Sequence, residues 1–103
     1  MGLLGTPEAK TAIQTMLEDD VLEVRLTAAE QLGRLKDRSG RQIVKDYLAK
    51  ANFDETTMAN QTAVAAIGTI ASDSLNAYLH QALSSRSPLI RLFAAQAVLI
   101  QKK

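Results

Sequence analysis

The sequence superimposes on itself. The stretch RLTAAEQLGRL, residues 25–35, meets NQTAVAAIGTI, residues 60–70, when Arg25 is laid on Asn60. Leu32-Gly33 then falls on Ile67-Gly68, Leu35 on Ile70, and Ala28 on Ala63. A further copy, RLFAAQAVLIQ at residues 91–101, places Arg91 on Arg25 and Ala94-Ala95 on Ala28-Ala29. The stretches between repeat as well. In AIQTML (12–17), IVKDYL (43–48) and LNAYLHQAL (75–83), Ile13, Val44 and Leu79 correspond, as do Leu17, Leu48 and Leu83. The long stretches are spaced by 35 and then 31 residues (25 to 60 to 91), the short ones by 31 and then 35 (13 to 44 to 79). A 31-residue unit explains both orders if the second unit carries four extra residues within AKANFDETTMAN, residues 49–60. A unit this short cannot bury its own apolar faces, so neighbouring units must stack.

Each unit reads as helix, turn, helix. The expected fold is all-α, about six helices in three antiparallel pairs within one domain, with repeats at about 6–37, 39–71 and 73–103. Composition agrees. Apolar residues make up 47% but aromatics only 4%, which suits closely packed helices built from Ala, Leu, Ile and Val. Five Gly and two Pro are too few for a turn-rich β chain. Helix starts are expected at Thr6-Pro7, after Asp19 or Asp20, at Ser39, Asp54 and Asp73, and at Ser87-Pro88. Ala pairs let helices approach closely. Gly in a helix costs about 0.8–1 kcal/mol against Ala, so Gly33 and Gly68 at matched positions point to packing.

These residues carry a resemblance. DDVLEVRLTAAEQLGRLKD, with Asp20, Val24-Arg25, Ala28-Ala29, Leu32-Gly33 and Leu35 in place, resembles the second helix of HEAT-like repeats of the short type named for the phycobilisome lyases. The second unit departs from the pattern with Asn60 for Arg, and the third with Leu99 for Gly. The resemblance implies an α-α superhelix, a right-handed solenoid of the HEAT/armadillo kind. It implies too that Arg25 and Arg91 bond to acids or carbonyls of neighbouring turns, a ladder Asn60 would interrupt. It does not specify function, since such repeats serve many unrelated proteins.

Two features suggest surfaces left open. Shifting Leu32-Gly33-Arg34-Leu35 back by one unit lands on Met1-Gly2-Leu3-Leu4, so residues 1–5 resemble the tail of a preceding unit and the chain reads as part of a longer array. The outward column of the second helices also changes along the chain. It runs Glu23, Thr27, Glu30, Arg34, then Met58, Thr62, Ala65, Thr69, then Leu89, Phe93, Gln96, Ile100. The last helix is apolar nearly all round, which expects burial. A cover over Leu89, Phe93 and Ile100 is expected: more chain, a partner, or self-association through this helix.

Catalytic chemistry finds little to work with. There is no Cys, and His80 is the single His, too few for paired His-Glu metal sites. Glu18, Asp19, Asp20 and Glu23 crowd one turn without the alternation and Gly of a calcium loop; placement near a helix N-terminus accounts for them. The sequon at Asn60 falls inside an expected helix. Phe53, in the widened loop, reads equally as an individual feature or as filler for the gap.

A basic rim, Arg34, Lys36, Arg38 and Arg41, surrounds the loop leaving the first unit. With a net charge of +1 and no interleaved aromatics, it reads as a solvated edge rather than a nucleic-acid surface. No apolar run has the length of a membrane span, and the start, MGLLGTPEAK, lacks the regions of a signal peptide. The expectation is a cytoplasmic, non-enzymatic protein–protein interaction scaffold without cofactor or metal. Its partner would bind across the second helices at Thr27, Arg34, Thr62, Thr69, Leu89, Phe93 and Ile100. A phycobilin lyase-like or chaperone-lyase subunit is the alternative the resemblance offers. Binding of nucleic-acid backbone by the basic rim is the third.

Overall fold

A computed structural model describes residues 7–101, which are helical throughout apart from their connections and contain no strand. Pro7 begins α1, Pro7–Thr15, which tightens into a 3-10 turn, Met16–Glu18. Next come α2 (Leu22–Arg34), α3 (Arg41–Leu48) and α4 (Met58–Ile70). Two short helices, α5 (Asp73–Asn76) and α6 (Leu79–Leu83), precede α7 (Pro88–Gln101). The expected cap at Thr6 and the match at residues 1–5 lie outside the described residues.

The second helices pack in series, α2 on α4 and α4 on α7. The first helices line their other side: α1 on α2, α3 between α2 and α4, and α6 on α7. The molecule is 22 Å in its thinnest dimension, two helix diameters. Leu26, Leu32, Val44, Val64, Ile67, Leu75 and Ile90 are fully buried and form an aliphatic core. Each such side chain contributes about 1.5–3 kcal/mol by leaving water.

Close approach depends on three glycines. A Cβ at Gly33 would stand 2.5 Å from Thr69 Oγ1 and 3.0 Å from the Ile70 backbone nitrogen; one at Gly68 would stand 2.6 Å from Ala97 Cα. The third was not singled out in the sequence. Gly40, at the start of α3, touches Ala29 so closely that an added Cβ would lie 2.3 Å from its Cβ.

Several helix starts differ from expectation. Asp19 does not cap α2, which begins after Val21; its Oδ1 instead accepts from the Val21 amide at 2.8 Å. Ser39 does not cap α3, because its amide and hydroxyl both donate to Asp37, and the Ala29 contact leaves room at the N-cap only for Gly40. Thr57 rather than Asp54 caps α4, accepting from the Asn60 amide at 3.1 Å. Ser72 precedes α5, with Asp73 its first residue. At α7 the expectation and the structure coincide: Ser87 Oγ accepts from the Ile90 amide, and Pro88 opens the helix.

The segment 75–83, expected as one helix, is broken. At Ala77-Tyr78 the bonding tightens, the Tyr78 amide donating to Leu75 O instead of continuing the α pattern. Side chains on both sides of the break are engaged elsewhere. Asn76 Oδ1 accepts from Gln101 of α7 at 2.7 Å, and the Tyr78 ring stacks on Phe53 with centroids 6.5 Å apart.

The widened loop, residues 49–57, lies against the loop before α7. Phe53 is buried, its carbonyl accepts from Ser85 Oγ, Asp54 Oδ1 accepts from the Arg86 amide at 2.8 Å, and Thr56 bonds Ser87. Of the two readings of Phe53, the packing role is the one these contacts describe.

Candidate functional site

The matched positions Arg25, Asn60 and Arg91 perform the same local task. Arg25 Nη1 donates to Asp19 O, and Arg91 Nη1 to Ser85 O, each at 2.6 Å and each six residues back. Asn60 does not leave a gap in this row. Its Nδ2 donates to both Asn52 O and Glu55 O at 2.7 Å, and its Oδ1 accepts from the Tyr47 hydroxyl. A longer loop thus receives a shorter side chain with two N–H groups. Burial raises the Tyr47 pKa, since the phenolate would be poorly hydrated there.

On the face of the second helices an open groove of about 210 Å³ runs across all three. It is lined by Thr27, Glu30 and Arg34 of α2, by Met58, Gln61, Thr62 and Ala65 of α4, and by Phe93 of α7. Glu30, expected to point outward, is only 6% exposed. Arg34 Nε lies 2.5 Å from its Oε2, one helical turn on, and Gln31 Nε2 donates to its Oε1 at 3.2 Å. The Arg34 side chain itself is 63% exposed. The groove therefore combines apolar, hydroxyl and amide groups with an exposed cation whose balancing carboxylate is nearly buried.

A second cleft, about 460 Å³, opens where α2, α4 and α7 end. It gathers Gly33, Lys36, Arg38, Gly68, Thr69 and Ile100, and Arg34 adjoins it. Three of the four basic-rim residues thus converge; Arg41, the first residue of α3, stays outside. Arg38 Nη2 donates to Ala71 O at 3.2 Å. Helix C-termini present unpaired carbonyls and a partial negative charge. The cations here offset that charge, which leaves less positive potential for phosphate than a count of basic residues implies.

Of the residues expected on the binding face, Thr27, Arg34, Thr62 and Phe93 share the groove, while Thr69 and Ile100 share the cleft. Leu89 lines neither and is 45% exposed. Gln61 was missed, and Glu30 lines the groove as its register position implies but is nearly buried beside Arg34. Its four-residue spacing from Arg34 was the available signal for a paired carboxylate.

A third, nearly apolar groove of about 250 Å³ lies at the α1 end, lined by Ile13, Met16, Val24, Thr27 and Ala28 among others. His80 is exposed on α6. Among the described residues no three His, Cys, Asp or Glu side chains are grouped to hold a metal ion, and no helix is long and apolar enough to cross a membrane. No family model, curated protein or solved structure matches the chain.

Proposed function

We propose that the chain is an α-α superhelix of three HEAT-like repeats and acts as a non-enzymatic protein-binding module. The observation that carries the functional reading is the groove across α2, α4 and α7. Three successive units contribute to it at corresponding faces, so it exists only in the stacked array. Its chemistry suits a polypeptide: Met58 and Phe93 for apolar side chains, Thr27, Gln61 and Thr62 for backbone groups, and Arg34 for an acidic residue at the edge. The matched Arg25 and Arg91 bonds and the glycine crossings support the repeat reading.

The test is affinity capture from the cells that make the protein, with three chains. Wild type and Gln42→Arg, on an exposed position of α3, should retain a common protein. Thr62→Arg, which fills the groove from a half-buried position, should lose it. Equal retention by all three, or no protein retained by wild type, refutes the reading.

A further inference from the structure

The groove and the terminal cleft join. Arg34 lines the groove, and it also lines a hollow of about 340 Å³ together with Lys36, Thr69 and Ile100, three residues that belong to the cleft. One concave track leads from Met58 and Phe93, past Arg34, to Lys36 and Arg38. Met58 and Thr69 are eleven residues apart on α4, about 16 Å along the helix axis. An extended chain covers that distance with about five residues.

The track is polarised. Its start is apolar, with Met58 68% exposed and Phe93 half-buried. Its other end carries Arg34, Lys36 and Arg38, all exposed. Among the described residues that line it, Glu30 is the one carboxylate, and it is nearly buried, bonded to Arg34 and Gln31. The exposed Glu18, Asp19, Asp20 and Glu23 stand around the opposite end of α2. An acidic group approaching this face is repelled at one end of α2 and met by cations at the other.

The cations keep donors open. The Arg34 bond to Glu30 uses Nε and leaves both Nη groups without a partner among the described residues. Lys36 pairs with no acid there, and Arg38 donates to Ala71 O through Nη2 alone. The partial negative charge of the helix ends reduces the long-range pull on a polyanion, but it does not occupy these donors. Singly charged carboxylates, held one at a time, suit the site better than a phosphate backbone.

We propose that the segment held by this track is a stretch of a partner protein with apolar side chains at Met58 and Phe93 and a short run of Asp or Glu that continues past Arg34 to Lys36 and Arg38. This rests on the protein-binding reading of the groove and adds the partner's chemistry and the direction its acidic end takes. Exposed charge pairs of this kind contribute little singly; together they fix orientation and speed encounter.

A phage-displayed library of random short peptides supplies the probe, selected on the wild-type chain at low salt and counter-selected on Thr62→Arg, which fills the groove. The retained peptides should combine apolar residues with clustered Asp and Glu on one side of them. For a synthetic copy of one such peptide, Lys36→Glu and Arg34→Gln should each raise the dissociation constant about three- to fivefold, and salt at about 0.5 M should weaken binding further. With lysines in place of the peptide's acidic residues, the order should reverse, Lys36→Glu binding more tightly than wild type. Should Arg34→Gln lose helix, Lys36→Glu decides alone, since Lys36 is exposed. Groove-dependent peptides without an excess of acidic residues, or equal binding by Lys36→Glu, overturn this inference and leave the protein-binding reading standing. No peptide that distinguishes wild type from Thr62→Arg overturns both. A labelled DNA duplex bound more tightly than the peptide, and released by Lys36→Glu, assigns the cleft to phosphate and overturns this inference as well.

Discussion

Asn60 shows how one side chain can carry a loop. It is 2% exposed and satisfies two carbonyls and a hydroxyl at once. Asn60→Ala strands all three, so chemical denaturation should show a loss of about 2–3 kcal/mol, against under 1 kcal/mol for an exposed change such as Gln42→Ala. Asp37 makes a pH-dependent contribution. The Ser39 hydroxyl bonded to it, reinforced by the Ser39 amide, Gln14 and Lys10, lowers its pKa from 3.8 to about 2, against the opposing effect of burial. Because the folded value is depressed, the stabilisation is fully present above the unfolded value. It is lost as pH falls through the folded one, a window from about pH 4 to about pH 2. With solvent screening at this loop it amounts to roughly 1 kcal/mol. Thermal unfolding of wild type should fall toward that of Asp37→Asn across this window and differ from it above. Lys36 and Ala71, at matched positions, both end their helices at positive φ, 64° and 55°. Glycine adopts that conformation without a Cβ penalty, so Ala71→Gly should stabilise the chain by up to about 1 kcal/mol, read as a rise in Tm.

At the scale of helices, the glycine crossings set how closely α2, α4 and α7 approach. Gly68→Ala drives a Cβ into the α7 backbone at Ala97, whereas at Gly33 the nearest atom is the Thr69 hydroxyl, at the end of a side chain that can turn. Alanine gains about 1 kcal/mol of helix propensity at either site, and overpacking costs about 1–3 kcal/mol. Equilibrium unfolding should therefore show a net loss at Gly68 and a smaller effect of either sign at Gly33. These two glycines were readable in the sequence because their periodicity is a packing signal. Gly40 was not, since its neighbour Ala29 lies on another helix and no spacing announces the contact. The caps failed for a similar reason. Asp19, Ser39 and Asp54 have the chemistry of caps, but each finds another partner: a backbone amide for Asp19 and for Asp54, and the Asp37 carboxylate for Ser39. The break at Ala77-Tyr78 was equally hidden, because the residues associated with it, Gln101 and Phe53, are distant in sequence.

At the scale of the molecule, the repeat offset accounts for most of the arrangement: the serial packing of α2, α4 and α7, the aliphatic core, and the loop-to-loop bonds from Phe53, Asp54 and Thr56 to Ser85, Arg86 and Ser87. The binding face was only partly legible. Its column of residues could be counted from the register, but the burial of Glu30 beside Arg34 and the division between groove and cleft arise from how three helices meet. The central claim is that this groove holds a protein partner. Site-specific photo-crosslinking in the native cell tests it most directly, with the reactive group placed in turn at Thr27, Thr62 and Gln42. The account predicts one shared adduct from Thr27 and Thr62 and none from Gln42. No adduct from the groove positions, or the same adducts from all three, would contradict it.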